Sequence, residues 1–209
     1  MQPIVDVYPI EYAGHAGRFI EDYFKSIEEA AEDISETIIK QHQDEYVIYG
    51  HSMGCSVALE TAFILQRKKA PLPKAIIVAA NRPPHLRYKG IQLGNMAKDE
   101  LLEFIISRGQ FDDEILESEE FLEIVSDILY SDVQILSKYK RHYEEGTLDI
   151  PILALAGDGD EDTPSSDMQE WEKYTTGDFQ FRMFHGGHFF AFNENEDFIK
   201  YLLQYIQTI

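Results

Sequence analysis

The chain has little cysteine and little positive charge. Cys55 is its single cysteine among 209 residues, so no disulfide can form within the chain, which suits a reducing cytoplasm. Lys and Arg number 18 against 38 Asp and Glu, which gives a net charge of −20. So acidic a protein repels nucleic-acid phosphates and anionic lipid headgroups. We therefore expect a cytoplasmic protein that binds neither nucleic acid nor membrane.

Several sequence patterns are also missing. No apolar run is long enough to cross a bilayer, and Asp6 and Glu11 interrupt the early apolar residues, unlike a signal peptide. HExxH, CxxC, GxGxxG and Walker A motifs are absent. We expect no metal and no cofactor. The length suits a single domain over residues 1–209.

One short stretch carries a chemical signal. In "VIYGHSMGCSVALE", residues 47–60, Ser52 lies between Gly50 and Gly54, where β-forming residues give way to an apolar pattern typical of a helix. A serine at such a strand-to-helix turn presents its hydroxyl above the sheet, and the glycines remove Cβ atoms that would collide in the turn. The pattern predicts a nucleophilic serine.

Strand-like and helix-like segments alternate along the chain. Short apolar runs predict strands over 3–10, 45–50, 74–80, 150–156 and 179–184. Ser26 and Glu29 form a capping-box pattern before a helical stripe. This alternation predicts an α/β fold with a mostly parallel central sheet flanked by helices. From about 98 to 145 only helical patterns occur, which predicts a helical lid insertion.

The later strands end in residues that would complete a serine hydrolase. An acidic loop follows the strand at 150–156, and His188 lies in a glycine-rich loop before the last helix. Serine, then acid, then histidine is the order of an α/β-hydrolase, with each residue past the carboxyl end of a strand. The histidine would take the serine proton, and the carboxylate would orient the imidazole.

The residues alone leave alternatives for the acid and the base. Asp158, Asp160 and Asp162 compete for the acid. His185 is the nearest rival of His188, although a loop histidine packed at the strand end is its simpler interpretation. His51, inside the turn motif, is interpreted as structural.

Several stretches, in order along the chain, resemble the type II thioesterases of nonribosomal peptide and polyketide synthesis. "EYAGHAGRF" is similar to that family's "ELPGRGRR" loop, and "GHSMGCSVALE" to its "GHSMGA..A.E" turn. "ILYSDVQILSKYK" resembles its lid motif "LRADF.l...Y". "PILALAGDGDEDTP" and "FHGGHFF" resemble its "P..al.G..D" and "GGHFF". The resemblance implies an α/β-hydrolase fold.

The resemblance also implies roles. Ser52 would be the nucleophile, Asp160 the acid and His188 the base, with the backbone N–H of Met53 as one oxyanion donor. The substrates would be mischarged or stalled acyl groups on the 4′-phosphopantetheine arm of acyl or peptidyl carrier domains. Those carrier domains are the expected partners, and the protein itself is expected to be a monomer.

The chain departs from the family pattern in places. The family begins with an earlier strand that ends in a loop near "F.HAGG" and supplies a second oxyanion N–H, so we expect its N-terminal strand or strands to be missing here. The glycines of "YAGHAGR" are a weaker source of that donor. Tyr130 and Ser131 replace Arg-Ala before Asp132, and Ala13 replaces a proline.

The segment "NRPPHLRYKG", residues 81–90, is a basic cluster in an acidic chain. Arg82 and Arg87 are candidates for binding the pantetheine phosphate or the carrier domain, although scattered loop charges explain them as well. Two other functions remain open. One is a general carboxylesterase or lipase-like hydrolase, and the other is a catalytically weak protein that binds carrier domains.

Overall fold

A computed structural model describes residues 5–41, 45–86, 92–108, 116–192 and 196–209. Its centre is a parallel sheet of four strands in the order β1–β2–β3–β4, with β1 at Ile48–His51, β2 at Ile76–Ala79, β3 at Ile152–Gly157 and β4 at Phe179–Phe184. Every residue of β2 and β3 is buried, because helices cover both faces of the sheet. The predicted α/β fold is confirmed.

The helices form the two outer layers. They are α1 (Ile27–Gln41), α2 (Met53–Lys68), α3 (Lys98–Arg108), α4 (Glu119–Lys138), α5 (Ser165–Gln169) and α6 (Glu196–Thr208). Short 3₁₀ helices lie at Ala16–Arg18, Pro84–Leu86, Leu93–Asn95, Tyr143–Glu145 and Glu170–Tyr174. Helix α2 packs on one sheet face together with Trp171, and α6 packs on the other face together with Phe190.

Helix α1 begins where its capping pattern predicts. The Ser26 hydroxyl accepts a hydrogen bond from the Glu29 N–H at 3.1 Å. The Glu29 carboxylate accepts from the N–H of Lys25 at 2.6 Å, one residue earlier than in a standard capping box. Both side chains still satisfy N–H groups at the start of the helix.

The predicted lid region contains two long helices in the described residues. Helix α4 is continuous for 20 residues and runs through Tyr130 and Ser131. Ser118 caps its start, and α3 packs against it. At its far end Ile135 and Tyr139 join the cluster between α1 and α2, which attaches α4 to the body of the domain. Its role as a lid stays a prediction.

The predicted strand at 3–10 is wrong in its described part. Residues 5–10 lie outside the sheet, and their side chains are exposed, Val7 by 82%. A strand needs a neighbouring backbone to pair with, and none of the described strands pairs with this segment. It lines the same cavity as the outer edge of β1. Separately, none of the helices in the described ranges is long and apolar enough to cross a membrane.

Candidate active site

Ser52 lies at the sharp turn between β1 and α2. Its backbone has φ 52° and ψ −120°, a left-handed conformation that costs energy for a residue with a side chain. A Cβ on Gly50 would collide with the backbone carbonyl of Gly54, so the turn requires glycine there. The Ser52 N–H donates to the carbonyl of Ala79 at 2.8 Å, which ties the turn to β2. This geometry presents Ser52 at the carboxyl edge of the sheet.

Asp160 follows β3 and is 8% exposed. One of its oxygens, Oδ2, accepts hydrogen bonds from His188 Nδ1 at 3.0 Å and from Thr163 Oγ1 at 2.7 Å. The other, Oδ1, accepts from the N–H of Asp162 at 3.0 Å. Burial raises the pKa of Asp160, but the hydrogen bonds from His188 and Thr163 outweigh it and hold the pKa below its usual value. The carboxylate therefore stays ionised.

The loops that carry Asp160 and His188 meet through a close backbone approach. The N–H of Gly159 donates to the carbonyl of Gly186 at 2.8 Å. A Cβ on Gly157 would collide with that same carbonyl. Glycine at the end of β3 therefore lets the loop after β4 come near enough for the imidazole of His188 to reach the carboxylate.

Ser52 and His188 line one cavity of about 1900 Å³. The rival residues have other contacts, although Asp162 lines the same cavity. The His185 side chain is 98% exposed and faces Asp158, with 3.3 Å between Nδ1 and Oδ2. Asp162 contributes its backbone N–H to Asp160. Among the competing residues, Asp160 and His188 are therefore the pair joined by a hydrogen bond whose histidine lines the same cavity as Ser52.

Part of the apolar cavity wall comes from the predicted lid. The side chains from α3 and α4 include Phe104, Ile105, Leu129, Val133 and Leu136. The loop before α1 is tied to α4 because His15 Nε2 lies 3.2 Å from Asp132 Oδ2, and this hydrogen bond raises the pKa of His15. The predicted lid therefore contributes apolar side chains to the cavity that Ser52 lines.

His51 packs directly beside the imidazole of His188. Their ring centroids are 5.5 Å apart, and the ring of Phe189 stacks on His51. Burial lowers the pKa of His51 to about 4, with a smaller contribution from His188. His51 is therefore neutral at pH 7, so a positive charge formed on His188 does not face a second cation.

This buried neutral imidazole should make the protein sensitive to mild acid. Between pH 6.5 and about 4 the unfolded chain protonates His51 and the folded chain does not, so the free energy of unfolding falls as the pH falls. Replacing His51 with glutamine should reduce that fall by about 2 kcal/mol. Urea unfolding at pH 7, 5.5 and 4.5 measures it. Equal slopes for parent and variant would contradict the assignment.

The structure also shows which predicted oxyanion donors have an N–H that is not already engaged. Met53 begins α2, so its N–H is one of the helix N-terminal donors that lack an intrahelical acceptor. The glycines of the "YAGHAGR" loop are already engaged. Gly14 donates to the carbonyl of Arg18 at 3.0 Å, and Gly17 donates to Glu11 at 3.1 Å. Those two N–H groups are therefore poor candidates for the second donor.

The predicted basic cluster is only partly described. Arg82 lines the cavity, and its Nε lies 2.9 Å from Asp167 Oδ2, with both side chains largely buried. Arg87 lies outside the described residues. A role for these two residues in binding a phosphate or a carrier domain stays a prediction.

Two residues of the site were missed in the sequence. Thr163 is buried and donates to Asp160. Asp160 and Thr163 are three positions apart, and an Asp in a tight turn bonds to groups a few residues on, so their spacing could have indicated the contact. Asn81 donates to the backbone of Ser52 at 2.7 Å. No local pattern indicates that contact, because the two residues are far apart in sequence.

Comparison with known proteins identifies the family and agrees with the fold. A model of the family described as "Thioesterase domain" matches residues 1–205. Thioesterase PikA5 of Streptomyces venezuelae is 33% identical over 91% of this chain and 67% of its own length. The structure of RedJ, a thioesterase of prodiginine biosynthesis in Streptomyces coelicolor, is 28% identical with a TM-score of 0.83, covering 96% of this chain and 74% of RedJ. ClbQ of the colibactin pathway is 25% identical with a TM-score of 0.87, over 96% and 84%.

Proposed function

The chain belongs to the thioesterase domain family, and from this premise we propose that it hydrolyses acyl thioesters on the phosphopantetheine arms of carrier domains. Ser52 is the proposed nucleophile, His188 the base and Asp160 the acid. The observation that carries this proposal is the hydrogen bond of 3.0 Å between His188 and a buried, ionised Asp160, beside a serine on a strained turn.

In the acylation step Ser52 Oγ attacks the carbonyl carbon of the thioester. His188 Nε2 takes the hydroxyl proton, and Asp160 holds Nδ1–H so that Nε2 is the free acceptor. The carbonyl oxygen becomes an oxyanion that accepts from the N–H of Met53. When the tetrahedral intermediate collapses, the C–S bond breaks and His188 returns its proton to the departing thiolate.

Deacylation repeats these roles with water. His188 removes a proton from a water molecule, whose oxygen attacks the Ser52 ester. The intermediate collapses to release the free carboxylic acid, and Ser52 recovers its proton from His188. Each cycle consumes one thioester and one water, and yields one thiol and one acid.

The cavity supports an apolar acyl group as the substrate. Side chains such as Leu129, Val133 and Leu136 lie along its wall, and a methylene group buried against them gains about 0.8 kcal/mol. A carrier-bound thioester fits because the pantetheine arm can deliver the acyl group while the carrier stays outside. Similar proteins come from pathways that use such carriers. The carrier domain of a synthase is the proposed partner.

Comparing substrate classes tests this proposal. The parent and Ser52→Ala are given an acyl carrier, the same acyl group on N-acetylcysteamine, and the matching oxygen ester. We expect kcat/KM of the parent to be at least about 10-fold higher for the acyl carrier than for the N-acetylcysteamine thioester. Ser52→Ala should lose at least about 10³-fold on each substrate.

Each outcome distinguishes one function. Equal rates on thioester and oxygen ester, with no preference for the carrier, would indicate a general carboxylesterase. Carrier binding that survives in Ser52→Ala, with no turnover by the folded parent, would indicate a binding protein. Either result would contradict the proposal.

A further inference from the structure

The side chain of Asn81, just after β2, forms a hydrogen bond with the peptide group between Ser52 and Met53. The amide Nδ2 of Asn81 donates to the backbone carbonyl of Ser52 at 2.7 Å. That carbonyl and the N–H of Met53 belong to the same peptide unit. A peptide unit is planar and trans, so its C=O and N–H point in opposite directions. Fixing the carbonyl of Ser52 therefore fixes the direction of the Met53 N–H.

The backbone of Asn81 is itself held by a hydrogen bond from a buried side chain. The indole Nε1–H of Trp171 donates to the backbone carbonyl of Asn81 at 2.8 Å, and Trp171 is fully buried. Ala80, the residue before Asn81, has φ 55°. Its N–H donates to the backbone carbonyl of Leu155 at 3.0 Å. A residue with a Cβ is rarely held in this left-handed conformation unless the surroundings determine it.

Two strained residues therefore lie at the ends of neighbouring strands. Ser52 follows β1 with φ 52°, and Ala80 follows β2 with φ 55°. The hydrogen bond from Asn81 joins the two turns. This arrangement keeps the first peptide of α2 in one orientation before any substrate is bound.

We propose that Asn81 is a positioning residue that aims the Met53 N–H at the oxyanion of the tetrahedral intermediate. This inference rests on the proposed function, since it assigns Asn81 a part in the same reaction. Asn81 acts through the peptide and does not touch the reacting atoms. Its effect should appear in the transition state and be small for the bound substrate.

The expected loss of kcat depends on the hydrogen bonds that still hold the Ser52 carbonyl after Asn81 is changed. The Cys55 N–H also donates to the Ser52 carbonyl, at 3.0 Å, so the peptide keeps this restraint when Asn81 is changed. Complete loss of an oxyanion donor costs about 10²–10³ in kcat. A donor that remains but points less well should cost about 10-fold to 100-fold in kcat, with KM changed by less than about threefold.

The test uses two variants and a matched control. Asn81→Asp keeps the shape but places an acceptor against the Ser52 carbonyl, and Asn81→Ala removes the donor without adding charge. Gln180→Glu makes the same amide-to-carboxylate change at an exposed side chain of β4 that lies away from the cavity, where its Oε1 accepts from the hydroxyl of Tyr201 at 3.5 Å. It should leave kcat within about twofold. Thermal unfolding shows which variants are folded.

The decisive measurement is inhibition by two acyl-pantetheine analogues. A trifluoromethyl ketone forms a tetrahedral adduct with serine and resembles the transition state, whereas the corresponding amide resembles the bound substrate. In both Asn81 variants we expect the ratio of ketone Ki to amide Ki to rise at least about 10-fold, in step with the loss of kcat. A purely structural role would leave this ratio unchanged. A ratio within about twofold of the parent, in both folded variants, would overturn the inference.

Measurements on the parent protein distinguish a failure of the role proposed for Asn81 from a failure of the proposed function. If the parent neither hydrolyses thioesters nor forms the ketone adduct, the proposed function fails, and the role of Asn81 fails with it. If the parent does both and the Asn81 variants match it, only the role of Asn81 fails.

Discussion

The Asp160→Asn variant should lose about 10⁴-fold in kcat for thioester hydrolysis while it still folds. The carboxylate accepts from His188 and Thr163 on one oxygen and from the N–H of Asp162 on the other. An asparagine has a single acceptor oxygen, so it must present an NH₂ group to one of these donors. Whichever way the amide turns, a donor is left without its acceptor or the imidazole takes the wrong tautomer. Steady-state kinetics on a thioester measures the loss.

A neighbouring acid provides the matched control. Asp158 is exposed and faces His185 and the N–H of Gly186, so Asp158→Asn should change kcat by no more than a few-fold. A large loss in Asp158→Asn together with a small loss in Asp160→Asn would show that the acid was assigned to the wrong residue.

The Glu60→Gln variant should lower the free energy of unfolding by about 3 kcal/mol. Glu60 lies in α2 and is 1% exposed. Its carboxylate accepts from Arg141 at 2.7 and 2.9 Å and from the hydroxyl of Tyr139 at 3.0 Å. A glutamine would turn an NH₂ group toward one of these donors and leave the largely buried guanidinium without a counter-charge. Chemical denaturation of parent and variant measures the difference.

Arg67, the second arginine near Glu60, provides a surface control for the buried contact with Arg141. Arg67 lies 3.4 Å from Glu60, but its side chain is 59% exposed, so Arg67→Gln should cost less than about 0.5 kcal/mol. A cost below about 1 kcal/mol for Glu60→Gln would contradict the view that this pair anchors the segment after α4 to α2.

Short sequence patterns predicted the strands and the turn that depend on neighbouring residues in the chain. The apolar runs of β2 and β3 are continuous because both faces of the sheet are covered. The turn at Ser52 was visible because Gly50 and Gly54 flank it, although a Cβ would collide with backbone at Gly50 and not at Gly54. Strand propensity at 3–10 was equally strong, yet residues 5–10 do not pair. Propensity describes a single segment, whereas pairing depends on a neighbour that the segment does not encode.

The contacts that complete the site are long-range, and so they could not be predicted from spacing. The three acids at 158, 160 and 162 have the same chemistry, and only the approach of the loop after β4 separates them. The bond from Asn81 to Ser52 spans 29 positions, and the bond from His15 to Asp132 spans 117. Such pairs depend on how turns at the ends of different elements meet, which the fold determines.

Trapping the acyl-enzyme tests the central claim most directly. The parent and Ser52→Ala are mixed with an acyl-phosphopantetheinyl carrier, quenched in acid at short times, digested and analysed by mass spectrometry. We expect the acyl group to appear on Ser52 of the parent before free acid accumulates, and Ser52→Ala to give neither product. Acylation of another residue such as Cys55, or release of acid by Ser52→Ala at the rate of the parent, would contradict it.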